Sequence, residues 1–513
     1  MALVTEYVRL LVGFVLCLLL IVFHHRRRNR NTAITSWPVV GMLPGLLHNV
    51  PRFHDFMAEV VTKSGGTFEF IGPCFGADMD FIITSDPLNV QHILNKNFAN
   101  YPKGPELKEI LEPLGDGILN ADSELWRLQR KMFQLWNGRQ SKFDVISRTI
   151  QQKVADALIP FLDHVSETGI QVDIQEAFKW IISLDNALLL VFGFDLTSNS
   201  IKFPDVAEYR KAFRCIPEEM FLRNVVPVSF WRLQRWLQVG GGGRLRRASK
   251  MVDEFMYRCI SQKREELRRR SESKKDQYED SNADMMTVYL KDEKENLYSD
   301  KFLKDVALNL VSAALDTLTV AFAWFLWLVA THPSVETKLV EEMKENLPMK
   351  DGNYCGLLGV DDLNKLVYLQ ATIYESLRLY PPVPFNHKTA AEEDVLPSGH
   401  RVKRKKRVLI NFYAMGRMEE IWGKDCLEFK PERWISERGG FVYVPSHKFA
   451  AFNTGPRTCL GKEMALIQLK VVAIAVLRGY RLQVVEGHPI SPQLAIAAHI
   501  KQGLKVQVSK RCA

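Results

Sequence analysis

Ten residues, "FNTGPRTCLG" from Phe452 to Gly461, frame a single cysteine with two glycines, a proline and an arginine. A cysteine buried for packing needs no such company, because it is simply a small apolar residue. A thiolate that holds a metal must stay deprotonated. Positive charge, backbone N–H donors and a tight turn all favour that state. Cys459 has these surroundings and reads as a metal-ligating thiolate.

Three further clusters have types and spacings that suit chemistry. In "AALDT" (Ala313–Thr317) two small residues leave room for something bulky against a helix. Asp316 inside an apolar helix is costly without a partner or a task, and Thr317 can bond back to the helix and open a notch. Taken alone, this reads more readily as a paired Asp beside a packing Thr. In "ESLR", Glu375 and Arg378 stand at i and i+3 on one helix face, flanked by apolar residues and stopped by Pro381–Pro382. A buried pair of this kind wants another partner, and Arg433 in "FKPERW" is the candidate. "ELWRLQRK" sets Trp126 and Arg130 one turn apart, an indole N–H beside a cation, which suits a carboxylate.

These residues need elements to position them. The segment Ser299–Pro333 predicts one long helix, capped at Asp300 and stopped by Pro333. It is apolar nearly all round in its second half, so it is expected at the centre of the fold. Asp305, Asn309 and Asp316 make a membrane span there expensive. From about Asp122 to His332 the apolar spacing is mostly helical. Two interruptions are expected: a flexible break at "VGGGGRLRR" (Val239–Arg247), and a helix end running into a charged loop over Gln262–Asp284. "TFEFIGP", "MDFIITSDP", "VLPSGHRV", "KRVLINFYAMG" and "LKVQVSK" predict small sheets. The fold class is therefore mainly α with small β-sheets.

The N-terminus carries an unbroken apolar run, Leu10–Phe23, followed at once by "HHRRRNR". A cleavable signal carries its charge before the run, so this order predicts a retained anchor with the remainder on the cytosolic side. We divide the chain into an anchor (1–25), a basic, proline-rich hinge (26–48) and a catalytic domain (49–513). The net charge is +9 over 513 residues. Its basic clusters lack the interleaved aromatics or motif of a nucleic-acid binder, so no nucleic-acid partner is expected. Eight cysteines without a C-x-x-C pair suggest neither a disulfide framework nor a zinc site.

In this order, "AALDT", "ESLR", "PERW" and "FNTGPRTCLG" resemble the oxygen-binding helix, the Glu-x-x-Arg helix, the Pro-Glu-Arg segment and the heme loop of cytochrome P450. The resemblance covers nearly the whole chain. It implies heme b with Cys459 as its axial thiolate ligand. Arg457, Trp126, Arg130 and His387 (or Lys388) would hold the heme propionates, and Phe452 would pack beside the thiolate. Asp316 and Thr317 would relay protons, and Glu375, Arg378 and Arg433 would form a structural triad. Electrons would come from NADPH through NADPH–cytochrome P450 reductase, a flavin protein in the same endoplasmic reticulum membrane. Arg401–Arg407 and Lys462 are candidates for docking it.

Segments such as "NYPKGPELKEI", "LYPPVPFNHK" and "PSHKFAAFNTGPRTCLGK" are similar to the plant clan that oxidises fatty acids and alkanes, above all its mid-chain alkane hydroxylase branch. That implies hydroxylation of a long aliphatic chain, a hydrophobic substrate partitioned with membrane lipid. Members acting on wax alkanes typically carry Arg where this chain has Leu315 and Thr where it has Leu318. Relatives in alkaloid-making plants couple phenol rings instead, which is the alternative reading. An electron-independent isomerase often lacks the distal Thr, and a heme sensor needs no proton-relay pair, so both fit less well.

Overall fold

The structure is a computed structural model that describes residues 32–73, 80–137, 141–194, 206–226, 228–272, 284–291, 298–347 and 358–511, with Gly13, Phe23 and Asn29. The expected anchor and most of the basic part of the hinge lie outside the described residues. Eight helical elements matter below: α1 (Ser123–Asn137), α2 (Ile174–Phe178 continuing through a π-turn, Lys179–Ser183, into Leu184–Phe192), α3 (Val206–Val225), α4 (Val228–Leu237), α5 (Gly240–Glu272), α6 (Asp300–Thr331), α7 (Val367–Leu379) and α8 (Lys462–Gly479). Three small sheets accompany them. One has the order β1 (Thr67–Phe70), β2 (Phe81–Thr84), β7 (Arg407–Asn411), β4 (Phe385–Thr389). The second runs β3 (Val172–Asp173), β9 (Lys505–Lys510), β8 (Tyr480–Val484), and the third is a hairpin of β5 (Asp394–Val395) and β6 (Arg401–Val402).

The apolar composition of α6 places it at the centre, where most of its length is buried. By length and composition alone this helix could cross a membrane, but Asp305, Asn309 and Asp316 all have partners within the protein. Asp305 accepts from the Asp116 N–H (3.0 Å) and from Lys301 (2.8 Å). Asn309 accepts from the Leu119 N–H (2.9 Å) and donates to the Leu114 carbonyl (2.6 Å). These bonds pin the loop 114–119 against α6. Gly115 and Gly117 are needed there, because a Cβ at either would run into Asp305 or Asn309. The N-cap is Ser299, one residue before the expected Asp300: its hydroxyl accepts from the Phe302 N–H, and Asp300 pairs with Arg264. Ser299 has the extended backbone that an N-cap needs (ψ 154°), whereas Asp300 is already the first helical residue.

The break expected at Val239–Arg247 is not a flexible stretch. The chain turns at Gln238 and Gly240, both with positive φ, and Gly240–Gly243 then form the first turn of α5. A Cβ at Gly242 would lie 2.6 Å from the Arg235 backbone nitrogen. The glycines allow α5 to start directly against the end of α4. They are there for close approach. The helix α5 ends at Glu272, inside the charged stretch, with Lys263 buried between Glu266 and Asp284; the loop expected after it, 273–283, lies outside the described residues.

Two tests follow from this packing. Gly242→Ala should cost about 1–3 kcal/mol through backbone displacement, whereas Gly359→Ala, with only one side-chain atom near, should cost little; thermal unfolding of both variants checks it. His54 is buried beside Phe385 and Tyr413. Burial, with Arg417 assisting and Asp55 opposing, lowers its pKa from 6.5 to about 4. The unfolded chain therefore takes up a proton at higher pH than the folded one. Stability from this group is complete above 6.5 and falls as pH drops through about 4. His54→Asn should flatten the loss of stability between about pH 7 and about pH 5 in urea unfolding.

Candidate active site

The loop before α8 holds Cys459 in a fixed place. The Cys459 N–H donates to the Phe452 carbonyl (2.8 Å), and the Thr458 hydroxyl donates to the Gly455 carbonyl (2.7 Å). Gly455 has a φ of +68°, and a Cβ there would strike the Leu94 carbonyl, so the loop can close against residues 94–95 only with glycine. The Cys459 side chain is exposed, but onto a cavity of about 620 Å³ inside the protein. Burial raises its thiol pKa, opposed by the Gly461 N–H, Arg130 and Lys462. A cation or metal at the sulfur would tip that balance to the thiolate. Phe452 lines the same cavity, with the Lys462 ammonium 5.8 Å from its ring centre.

One side of the cavity is rimmed by cations. Arg130 and Arg457 lie 5.8 and 4.6 Å from the Trp126 ring centre. Arg130 also donates to the Thr458 carbonyl (2.9 Å) and Arg457 to Asp122 (2.6 Å). Lys103 and His387 complete the rim. Lys388, next on β4, points to the other face of the strand and is buried near Phe98 without lining the cavity. Burial lowers the pKa of Arg457 to about 10, of Lys103 to about 7 and of His387 to about 3. Arg457 Nε and His387 Nε2 are buried with no hydrogen-bond partner among the described residues. Two arginines and a lysine thus face one carboxylate, Asp122. The rim is short of negative charge and of acceptors.

Across the cavity runs α6. The Thr317 hydroxyl donates to the Ala313 carbonyl (2.6 Å), the back-bond expected of a notch, and both residues line the cavity with Asp316. Asp316 accepts from Lys179 (2.9 Å) and from His499 (3.2 Å). Burial would raise its pKa, but Lys179 and His499 outweigh that and hold it well below the usual carboxylate range. Leu318 also lines the cavity, whereas Leu315 is buried behind it.

Glu375, Arg378 and Arg433 lie together behind the cysteine loop. Arg378 is paired with Glu375 through two bonds of 2.7 Å and donates to the carbonyls of Gly416, Cys426 and Glu428. Glu375 also accepts from the Lys430 N–H (3.0 Å) and the Trp434 indole (2.9 Å). Arg433 reaches Glu375 at 3.4 Å and is held more closely by Asp425 at 3.0 Å.

Comparison with known proteins agrees with this arrangement. The cytochrome P450 family profile matches residues 33–506. The chain belongs to the cytochrome P450 family. It is 39% identical over 505 residues to the alkane hydroxylase MAH1 of Arabidopsis thaliana, covering 98% of both chains. It is 37% identical to cytochrome P450 86B1 of the same plant, covering 96% of this chain and 88% of the relative. It is 38% identical to noroxomaritidine synthase of Narcissus aff. pseudonarcissus MK-2014, covering 93% and 91%.

Membership in the cytochrome P450 family implies a heme-thiolate cofactor, and the residues present fit one. Heme brings two carboxylates, and the rim offers cations in excess together with the orphaned Arg457 Nε and His387 Nε2. Sequence reasoning missed Lys103, Asp122, Lys179, His499, Asp425 and Trp434. Asp425 and Trp434 sit within nine residues of Arg433, yet carry no spacing signal. Asp122 stands just before Trp126 but its partner Arg457 is far along the chain, and Lys103, Lys179 and His499 come from segments that only the fold joins. The basic run Arg401–Arg407 is less free than expected, because Lys406 pairs with Glu69 and Arg407 turns inward to Glu106. Arg378→Met should lower stability by about 3–5 kcal/mol, since it leaves the Glu375 charge buried without its main partner. The expected readout is a sharp fall in heme-loaded protein, measured from the Soret band per mole of chain.

Proposed function

We propose that this cytochrome P450 hydroxylates a long aliphatic chain, using O2 and electrons delivered from NADPH through a flavin reductase in the endoplasmic reticulum membrane. The overall change is RH + O2 + NADPH + H+ → ROH + NADP+ + H2O. The observation that carries this reading is the chemistry of the cavity wall beneath α6. It is built from Leu119, Phe133, Phe213, Met220, Leu318 and Ile496. Among the described lining residues Asp316 is the one acid, and Lys179 and His499 already hold it. An aliphatic chain needs only such a wall. A phenolic amine, the substrate class of the ring-coupling alternative, would bring a cation with no free carboxylate to meet it.

Heme ligated by Cys459 supplies the redox chemistry, and electron donation from the thiolate favours O–O cleavage. The chain's own residues do the rest. Arg457, Arg130, Trp126 and His387 would hold the two heme carboxylates, with Lys103 beside them. Phe452 shields the sulfur. Asp316 and Thr317 supply protons at the α6 notch while the apolar wall excludes bulk water. Leu318, where alkane-oxidising relatives carry a hydroxyl, leaves that notch to Thr317 alone.

An anchor over 1–25 would hold this domain at the membrane, and α4 offers a second contact. Phe230, Leu233, Trp236 and Leu237 are exposed on it, Trp236 at 77%, while Trp231 faces the core. Such a face suits the headgroup–acyl boundary. An environment-sensitive dye on Trp236→Cys, in the full chain reconstituted in nanodiscs, should be quenched by lipids spin-labelled in the acyl chain. Quenching only from the aqueous phase would count against it.

The functional test is product mass. Reconstituted with reductase and NADPH and offered long-chain alkanes, fatty acids and phenolic amines, the enzyme should add one oxygen to an aliphatic chain. Loss of two hydrogens from a phenolic amine, with no oxygen gained, would replace this reading with ring coupling.

A further inference from the structure

The two oxygens of Asp316 are not equivalent. Oδ1 accepts from both Lys179 Nζ (2.9 Å) and His499 Nε2 (3.2 Å), while Oδ2 has no partner among the described residues. Asp316 lines the cavity, and Lys179 and His499 do not. The carboxylate therefore stands between the cavity and a cation–imidazole pair on its far side.

Both groups behind it are rigidly placed. Lys179 begins the π-turn of α2, whose extra residue also brings the Ser183 hydroxyl to the Thr319 hydroxyl of α6 (3.1 Å). His499 lies in a C-terminal segment tied down on both sides. The Ala498 N–H donates to the Pro382 carbonyl (2.9 Å), and the Trp324 indole donates to the Ala498 carbonyl (2.8 Å). Gln175 exchanges two hydrogen bonds with the Ile500 backbone (2.9 and 3.1 Å). Gln175 and Lys179 stand one turn apart on the same helix, so α2 fixes the chain beside His499 and the carboxylate that His499 touches.

We propose that His499 is the relay through which protons from solvent reach Asp316, with Lys179 anchoring the carboxylate so that its free oxygen faces the cavity. The imidazolium passes its Nε2 proton to Asp316 and becomes a neutral imidazole. The carboxyl gives that proton up toward the cavity and is a carboxylate again. His499, whose side chain is 12% exposed although it does not line the cavity, then takes a new proton from solvent at Nδ1. One proton crosses per cycle and both groups return to their starting forms. Lys179, which favours the carboxylate, keeps the protonated form of Asp316 short-lived. Imidazole suits this task because its two nitrogens can load and unload a proton on opposite sides.

The inference rests on the assignment of Asp316 to proton delivery, and Asp316→Asn serves as the reference for it. The test uses the full-length heme-loaded enzyme with its reductase and reads product formed per NADPH consumed, with the solvent deuterium isotope effect on turnover. His499→Ala and His499→Gln should both lower product per NADPH, by about tenfold, and raise the isotope effect. Lys179→Met should lower it and Lys179→Arg should restore it. A readout independent of turnover is the Asp316 carboxylate stretch in infrared difference spectra against Asp316→Asn, which should shift in His499→Ala and Lys179→Met. If Asp316→Asn leaves product per NADPH unchanged, the underlying assignment fails. If Asp316→Asn uncouples but His499→Gln matches the native enzyme, His499 only positions the acid and the relay is overturned.

Discussion

The structure depends on one buried ion pair. Glu375 and Arg378 have no solvent exposure at their side chains, so their charges must be satisfied within the protein. Between them they take up three backbone carbonyls, a backbone N–H and an indole from the stretch 416–434. That stretch leads directly into the cysteine loop. The pair therefore fastens the irregular chain around the site to α7, which packs against α6. Gly416 is part of the same joint: any side chain there would collide with the Arg378 carbonyl. An arrangement with so many partners resists substitution, because removing one charge leaves the other stranded.

The cavity that this framework supports is divided by polarity. One edge gathers cations from α1, the cysteine loop and the segment before Gly104, with the neutral His387 imidazole of β4 beside them. The opposite wall is largely aliphatic and aromatic, with Asp316 and Thr317 among its few polar residues. A flat, dianionic, largely apolar cofactor would meet both demands at once. The polarity also separates functions: charge is concentrated where the cofactor is held, and the space left for substrate selects by shape and hydrophobicity.

Much of this was legible in the sequence. The cysteine loop announces itself because glycine, proline and arginine at fixed offsets have a local reason: a tight turn and a positive field around one sulfur. The helical character of α6 and the Glu375–Arg378 pair are equally local. What was not legible arises from contacts between distant segments. Lys179 and His499 are single residues in unremarkable stretches, and nothing near either points to Asp316. The four glycines before Arg244 were misjudged for a related reason. Composition gives their conformational freedom, but only the neighbouring α4 backbone shows that they serve close packing. Ser299 taking the cap meant for Asp300 is the usual one-residue uncertainty of helix ends.

The central claim is that Cys459, held in this loop, would supply the thiolate that holds a heme in the cavity. The most direct measurement is the absorption spectrum of the reduced, carbon monoxide-bound protein, native and Cys459→Ser, each with its heme content determined. The native protein should show the strongly red-shifted Soret band that thiolate ligation produces, and the serine variant should lose it even where heme is retained. A red-shifted band that survives in Cys459→Ser would contradict the account.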